Sequence, residues 1–76
     1  MKMEEFLENF AEQFEETDLA LIKPETEFKN INEWSSMLAL FIIAMADESY
    51  NVKLKGEDIR NAITVEDLYN VIKSRV

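Results

Sequence analysis

Hydrophobic positions along the first sixteen residues recur at helical spacing. Met3, Phe6, Leu7, Phe10, Ala11 and Phe14 fall on one face, and Glu4, Glu5, Glu8, Glu12, Glu15 and Glu16 take much of the rest. This pattern predicts an amphipathic helix whose phenylalanine stripe supplies a large part of a small core. Thr17-Asp18 ends it. Pro24 fixes its own backbone and restricts Lys23, so Lys23-Pro24-Glu25-Thr26 reads as a turn. Leu19, Leu21 and Ile22 are expected to cover apolar surface. Phe28, Ile31 and Trp34, three residues apart, are expected to pin a long loop onto the core. Such a loop is unusual in a small domain unless it has anchors of this kind.

The pattern changes at Ser35-Ser36. Ser35 is a candidate N-cap for a second helix over residues 36–49. Met37, Leu38, Leu40, Phe41, Ile42, Ile43, Ala44 and Met45 form a nearly unbroken apolar run, and charge returns only at Asp47 and Glu48. A helix apolar on almost every side is either central or partly open to a partner. Val52 and Leu54 are expected to point inward, and residues 56–61 to form a short helical turn. Thr64 followed by Asp67 has capping-box spacing for a last helix with a stripe of Val65, Leu68, Val71 and Ile72, flanked by Tyr69. The predicted fold is all-α: a single domain over residues 1–76, a small four-helix bundle with a long loop between helices one and two and a short third helix. Phe6, Phe10, Phe14, Phe28, Leu40, Ile43, Ile59, Leu68 and Ile72 are its expected shared core.

Composition narrows the chemistry. One Gly and one Pro in 76 residues make tight turns scarce. Without Cys there is no disulfide or thiolate metal site, and without His the commonest general base and metal ligand are missing. No metal site is expected from the acids, which lack the spacing of a calcium-binding loop. Adjacent pairs such as Glu15-Glu16, Asp47-Glu48 and Glu57-Asp58 do not share one helix face and read as solvated surface. No apolar run reaches the roughly 18 residues of a membrane span, and the N-terminus lacks signal-peptide character, so a cytoplasmic protein is expected. The net charge is −8; residues 1–48 hold twelve acids and three bases, whereas residues 49–76 hold four acids and five bases. That balance disfavours nucleic-acid binding and favours basic protein partners.

Several segments taken together resemble the acyl and peptidyl carrier proteins. Pro24-Glu25-Thr26-Glu27-Phe28 is similar to the loop before the family's active serine, and Phe28 lies eight residues ahead of Ser36. Trp34-Ser35-Ser36-Met37 is similar to the family's Asp-Ser-Leu tripeptide, Leu40 matches an apolar position four residues on, and Thr64-Val65-Glu66-Asp67-Leu68 looks like the start of the last helix. Ser35 and Ser36 both compete for the site; the phenylalanine spacing and the apolar Met37 after it select Ser36. The resemblance implies that Ser36 carries a covalent 4'-phosphopantetheine arm from coenzyme A, installed by a phosphopantetheinyl transferase. It also implies that the arm holds acyl or aminoacyl groups as thioesters for partner synthases of fatty acid, polyketide or nonribosomal peptide biosynthesis.

On this expectation the chain is a monomeric carrier with no catalytic residues of its own. Two departures from the family pattern stand out. Ser35 occupies the place of the usual Asp, and Leu38 and Phe41 stand where acids are common. Partner docking is therefore expected to be more apolar than usual, through Met37, Leu38, Ile42 and Met45, with Asp47 and Glu48 as an acidic rim. Exposure is expected for Leu38, Ile42 or Met45. The alternative expectations are a small acidic helical interaction module with an unmodified Ser36, and a carrier-like domain that has lost the modification and serves as a structural subunit.

Overall fold

The computed structural model describes all residues from Met1 to Val76. It is all-helical: α1 (Met3–Ala11), α2 (Ser36–Tyr50), α3 (Gly56–Asn61) and α4 (Val65–Lys73), with two single 3₁₀ turns, Leu19–Leu21 and Phe28–Asn30, in the long α1–α2 connection. No helix is long and apolar enough to cross a membrane.

Eighteen buried side chains form one apolar cluster, and none of the buried residues is polar or charged. Its centre is aromatic. Phe6 meets Phe10 at 5.8 Å between ring centroids and the edge of Tyr69 at 5.4 Å, while Phe10 meets Phe14 at 5.6 Å and the edge of Phe28 at 5.6 Å. Offset and edge-on geometries of this kind add to the area term of burial. α1 packs against both α2 and α4, and α3 against α4. The first helix ends three residues earlier than its apolar stripe. Phe14 follows a turn in which Gln13 N–H donates to Phe10 O and Phe14 N–H to Ala11 O, yet it is buried.

Local capping explains where the helices begin. Thr64 Oγ1 accepts from Asp67 N–H at 3.1 Å, and Asp67 Oδ2 accepts from the N–H groups of Thr64 and Ile63 at 3.0 Å each, the reciprocal cap read from the sequence. These bonds hold the Asp67 carboxyl below its usual range. At α3, Asp58 accepts from Lys55 N–H at 2.9 Å and forms a two-bond pair with Arg75 at 2.8 and 2.9 Å. The Arg75 guanidinium, with the Lys55 N–H second, lowers the Asp58 carboxyl to about 2. α2 ends one residue later than expected, at Tyr50, and Asn51 turns the chain in the left-handed region at φ 57°. Asn tolerates that conformation better than most residues.

The long connection is tied down at three helix ends. The Glu33 carboxylate accepts from the N–H groups of Glu15, Glu16 and Thr17 and from the Thr17 hydroxyl at 2.6–3.0 Å, closing the turn after α1. Carbonyls of Pro24 and Thr26 accept from Glu66 and Val65 N–H at 2.8 and 3.0 Å, satisfying free donors at the start of α4. Lys29 Nζ donates to the Ile59 and Arg60 carbonyls at 3.0 and 2.9 Å, at the end of α3. Phe28 is fully buried and meets Trp34 edge-on at 5.1 Å, so the expected anchors hold, with Ile31 and Trp34 half-buried.

Several expectations are corrected. Leu40 lies on the surface, 64% exposed, not in the core. Leu19 and Leu21 are exposed as well, because the turn following Asp18 directs only Ile22 inward. Ile43 packs half-buried against the core, and Val52 and Leu54 are buried as expected.

Candidate functional site

Ser36 is the first residue of α2 and is exposed. Ser35 precedes it in extended conformation, and its hydroxyl accepts from Leu38 N–H at 3.3 Å. The two adjacent serines therefore differ in occupation. Ser35 is the N-cap, and the Ser36 hydroxyl takes no part in that cap. The first turn of α2 carries no acid, so nothing on the helix offsets the partial positive charge of its N-terminal N–H groups.

An open groove runs beside Ser36 between α2, the 28–30 turn and α3. It is lined by Lys29, Trp34, Ser35, Ser36, Ala39, Gly56, Ile59 and Arg60. Lys29 and Arg60 line the same groove as the serine, in a chain whose net charge is −8, with the Lys29 ammonium bonded to the Ile59 and Arg60 carbonyls. Neither was assigned to the site from the sequence. They lie seven and twenty-four positions away, and only the docking of loop and α3 brings them to Ser36.

α2 divides into two arcs. At about 100° per residue, Leu38, Ile42, Met45 and Ala46 share one side, and all four are buried, at 5%, 0%, 5% and 0% exposure. Leu38, Ile42 and Met45 therefore offer no docking surface, contrary to expectation; they are buried in the core, and α1 packs against α2. The open arc continues from Ser36 through Leu40, Met37, Ala44 and Phe41, with Leu40 and Met37 64% and 63% exposed and Phe41 44%. Beyond them Glu48 is exposed, and Asp47 is half-buried and paired with the exposed Lys53 at 2.9 Å.

Two small grooves flank Phe41 on its α1 side. One, of about 180 Å³, is lined by Asn9, Glu12, Gln13, Phe41, Ala44, Met45, Glu48 and Ser49. The other, of about 190 Å³, is lined by Gln13, Glu15, Glu33, Ser35, Met37, Leu38 and Phe41. Neither contains a cation. A third, polar groove lies between the turn after α1 and the loop, lined by Glu16, Thr17, Asp18, Leu21, Asn30, Ile31, Asn32 and Glu33. Of its three carboxylates, Glu33 and Asp18 are committed to backbone N–H groups, and no cluster of three acids in the chain could hold a metal ion.

The shifted titrations tell the same story. Glu33, Asp58 and Asp67 are all stabilised as carboxylates, Glu33 first by the Glu15 N–H, and Arg75 is raised by its bond to Asp58. Each serves a cap or a pair. No family model, curated protein or solved structure matches this chain.

Proposed function

We propose that the chain is a carrier protein whose Ser36 holds a 4'-phosphopantetheine arm, with acyl or aminoacyl groups carried as thioesters on that arm. The observation that carries this reading is the division of labour at the start of α2. Ser35 fills the cap, leaving the exposed Ser36 hydroxyl free to form a phosphodiester. The uncompensated helix N-terminus, with Lys29 and Arg60 lining the same groove, makes a favourable setting for a phosphodiester's negative charge.

The reading includes the fold: α1, α2 and α4 with the short α3 as a four-helix bundle of the carrier type, the α1–α2 loop held by Phe28 and Trp34. A transferase installs the arm from coenzyme A, and synthases act on its cargo. Catalysis belongs to those partners, and the carrier contributes effective concentration. The second reading, an interaction module with an unmodified serine, draws support from the exposed apolar arc of α2.

Incubation with a broad-specificity phosphopantetheinyl transferase and coenzyme A separates the two. The carrier reading predicts one adduct by mass spectrometry that is absent in Ser36→Ala. An unmodified protein under conditions where a control carrier is fully labelled overturns it.

A further inference from the structure

We infer that Lys29 is a strap that sets the width of the groove beside Ser36, by tying the end of α3 to the loop that leads into α2. Released from Lys29, α3 parts from the loop while staying attached to α4, and the groove opens. The strap stands on its own; that the groove bears on an arm at Ser36 rests on the carrier reading.

α3 depends on what holds it from outside. It has six residues, and Ile59 is its one buried side chain. A helix this short is not stable by itself in water, and segments with few buried apolar contacts are the ones that open first. On one side α3 packs against α4, and Arg75, just beyond α4, bonds Asp58 in its first turn. Towards the loop the only hydrogen bonds are those of Lys29. Its Nζ donates to the Ile59 and Arg60 carbonyls at 3.0 and 2.9 Å, and no other hydrogen bond joins α3 to residues ahead of α2. Carbonyls at a helix end lack partners within the helix, and a cation there also meets the negative end of its dipole.

The other end of the strap is fixed to the core. Phe28 is fully buried, and the Lys29 ammonium lies 5.7 Å from its ring centroid, within cation–π reach. Phe28 in turn meets Trp34 edge-on at 5.1 Å. Trp34, Ser35, Ser36 and Ala39 line the groove from the α2 side, and Gly56, Ile59 and Arg60 line it from α3. Contacts therefore run without a break from the α3 carbonyls through Lys29 and Phe28 to Trp34, two residues before Ser36. The ammonium is the one link in this series that holds by charge and hydrogen bonding. A neutral side chain of equal length keeps the packing and loses the tie.

The test compares the full unmodified chain with Lys29→Met and Lys29→Arg by amide hydrogen exchange and by acrylamide quenching of Trp34, the single tryptophan. Lys29→Met should speed exchange of the Ala62 amide, which closes the end of α3 on the Asp58 carbonyl, about tenfold or more. Amides in the middle of α1 and α2 should keep their wild-type rates, and quenching of Trp34 should rise as the groove opens. Lys29→Arg, which keeps the charge and the donors, should stay closer to wild type than to Lys29→Met. Unchanged exchange at Ala62, equal acceleration throughout α1 and α2, or unchanged quenching of Trp34 overturns the inference. So does Lys29→Arg behaving as Lys29→Met does, which removes the role of charge and donors. Neither measurement needs an arm. A wild type that no transferase labels, with the exchange and quenching results intact, removes only the carrier reading. A labelled wild type whose α3 and Trp34 ignore Lys29→Met removes only the strap.

Discussion

Glu33 binds Thr17 twice: its Oε1 accepts from the Thr17 N–H at 2.9 Å and from the Thr17 hydroxyl at 2.8 Å. With the bonds to Glu15 and Glu16, one side chain next to Trp34 closes the end of α1, sixteen or more residues away. Position and chemistry both matter here, because the donors are N–H groups in the turn after α1, beyond the helix's own hydrogen bonding. Glu33→Ala should therefore lower the melting temperature and speed amide hydrogen exchange at Glu15, Glu16 and Thr17. Thr17→Val, which keeps the backbone bond, should have a smaller effect. The Glu33 carboxyl is lowered from its ordinary value of 4.5, so the stabilisation is present above that pH and is lost as the pH falls below it.

Phe10 lies at the centre of the aromatic core, fully buried and in contact with Phe6, Phe14 and Phe28. Phe10→Ala should cost about 3–5 kcal/mol, a large share of a small domain's stability, as measured by urea unfolding.

Neighbouring positions on α2 should respond in opposite ways. Ile42→Ala opens a cavity in the buried arc and should cost about 2–5 kcal/mol. Leu40→Ser, on the open arc, should leave the unfolding midpoint nearly unchanged. Similar losses in both variants would contradict the two-arc division of the helix.

Ser35 and Ser36 should also separate. Ser35→Ala removes the N-cap and should cost about 1 kcal/mol in urea unfolding while leaving a phosphopantetheine adduct in place. Ser36→Ala should remove the adduct with little change in stability. An adduct that persists in Ser36→Ala and disappears in Ser35→Ala would move the site by one residue.

The Asp58–Arg75 pair joins α3 to the C-terminal end of the chain. Asp58 is depressed from 3.8 to about 2, so its contribution is fully present above roughly pH 4 and is lost as the pH falls through about 2. Acid unfolding of Asp58→Asn should be less steep than wild type in that window. High salt should narrow the difference, because the arginine is partly exposed.

Features that depend on residues a few positions apart were legible in the sequence. The α1 stripe, the Ser35 cap, the Thr64–Asp67 cap and the inward Val52 and Leu54 all belong to this class, because helical periodicity and capping act within one or two turns. The anchoring of Phe28 was legible too, since a large aromatic side chain in a polar loop of a small chain is most readily accommodated in the core.

Only the tertiary structure decided which side of α2 faces inward. A helix apolar nearly all round has no preferred face, so its own residues do not choose between burying Ile42 and burying Leu40; the surface of α1 that packs against it does. The same holds for Glu33 at the end of α1 and for Lys29 at the end of α3. Each reads as an ordinary charged loop residue, and its role arises from free backbone groups that chain folding brings to it. Sequence determined the helices and the capped starts of α2 and α4 through short-range hydrogen bonding and periodic burial, while the exposed stripe beside Ser36 and the residues that share its groove came from long-range packing.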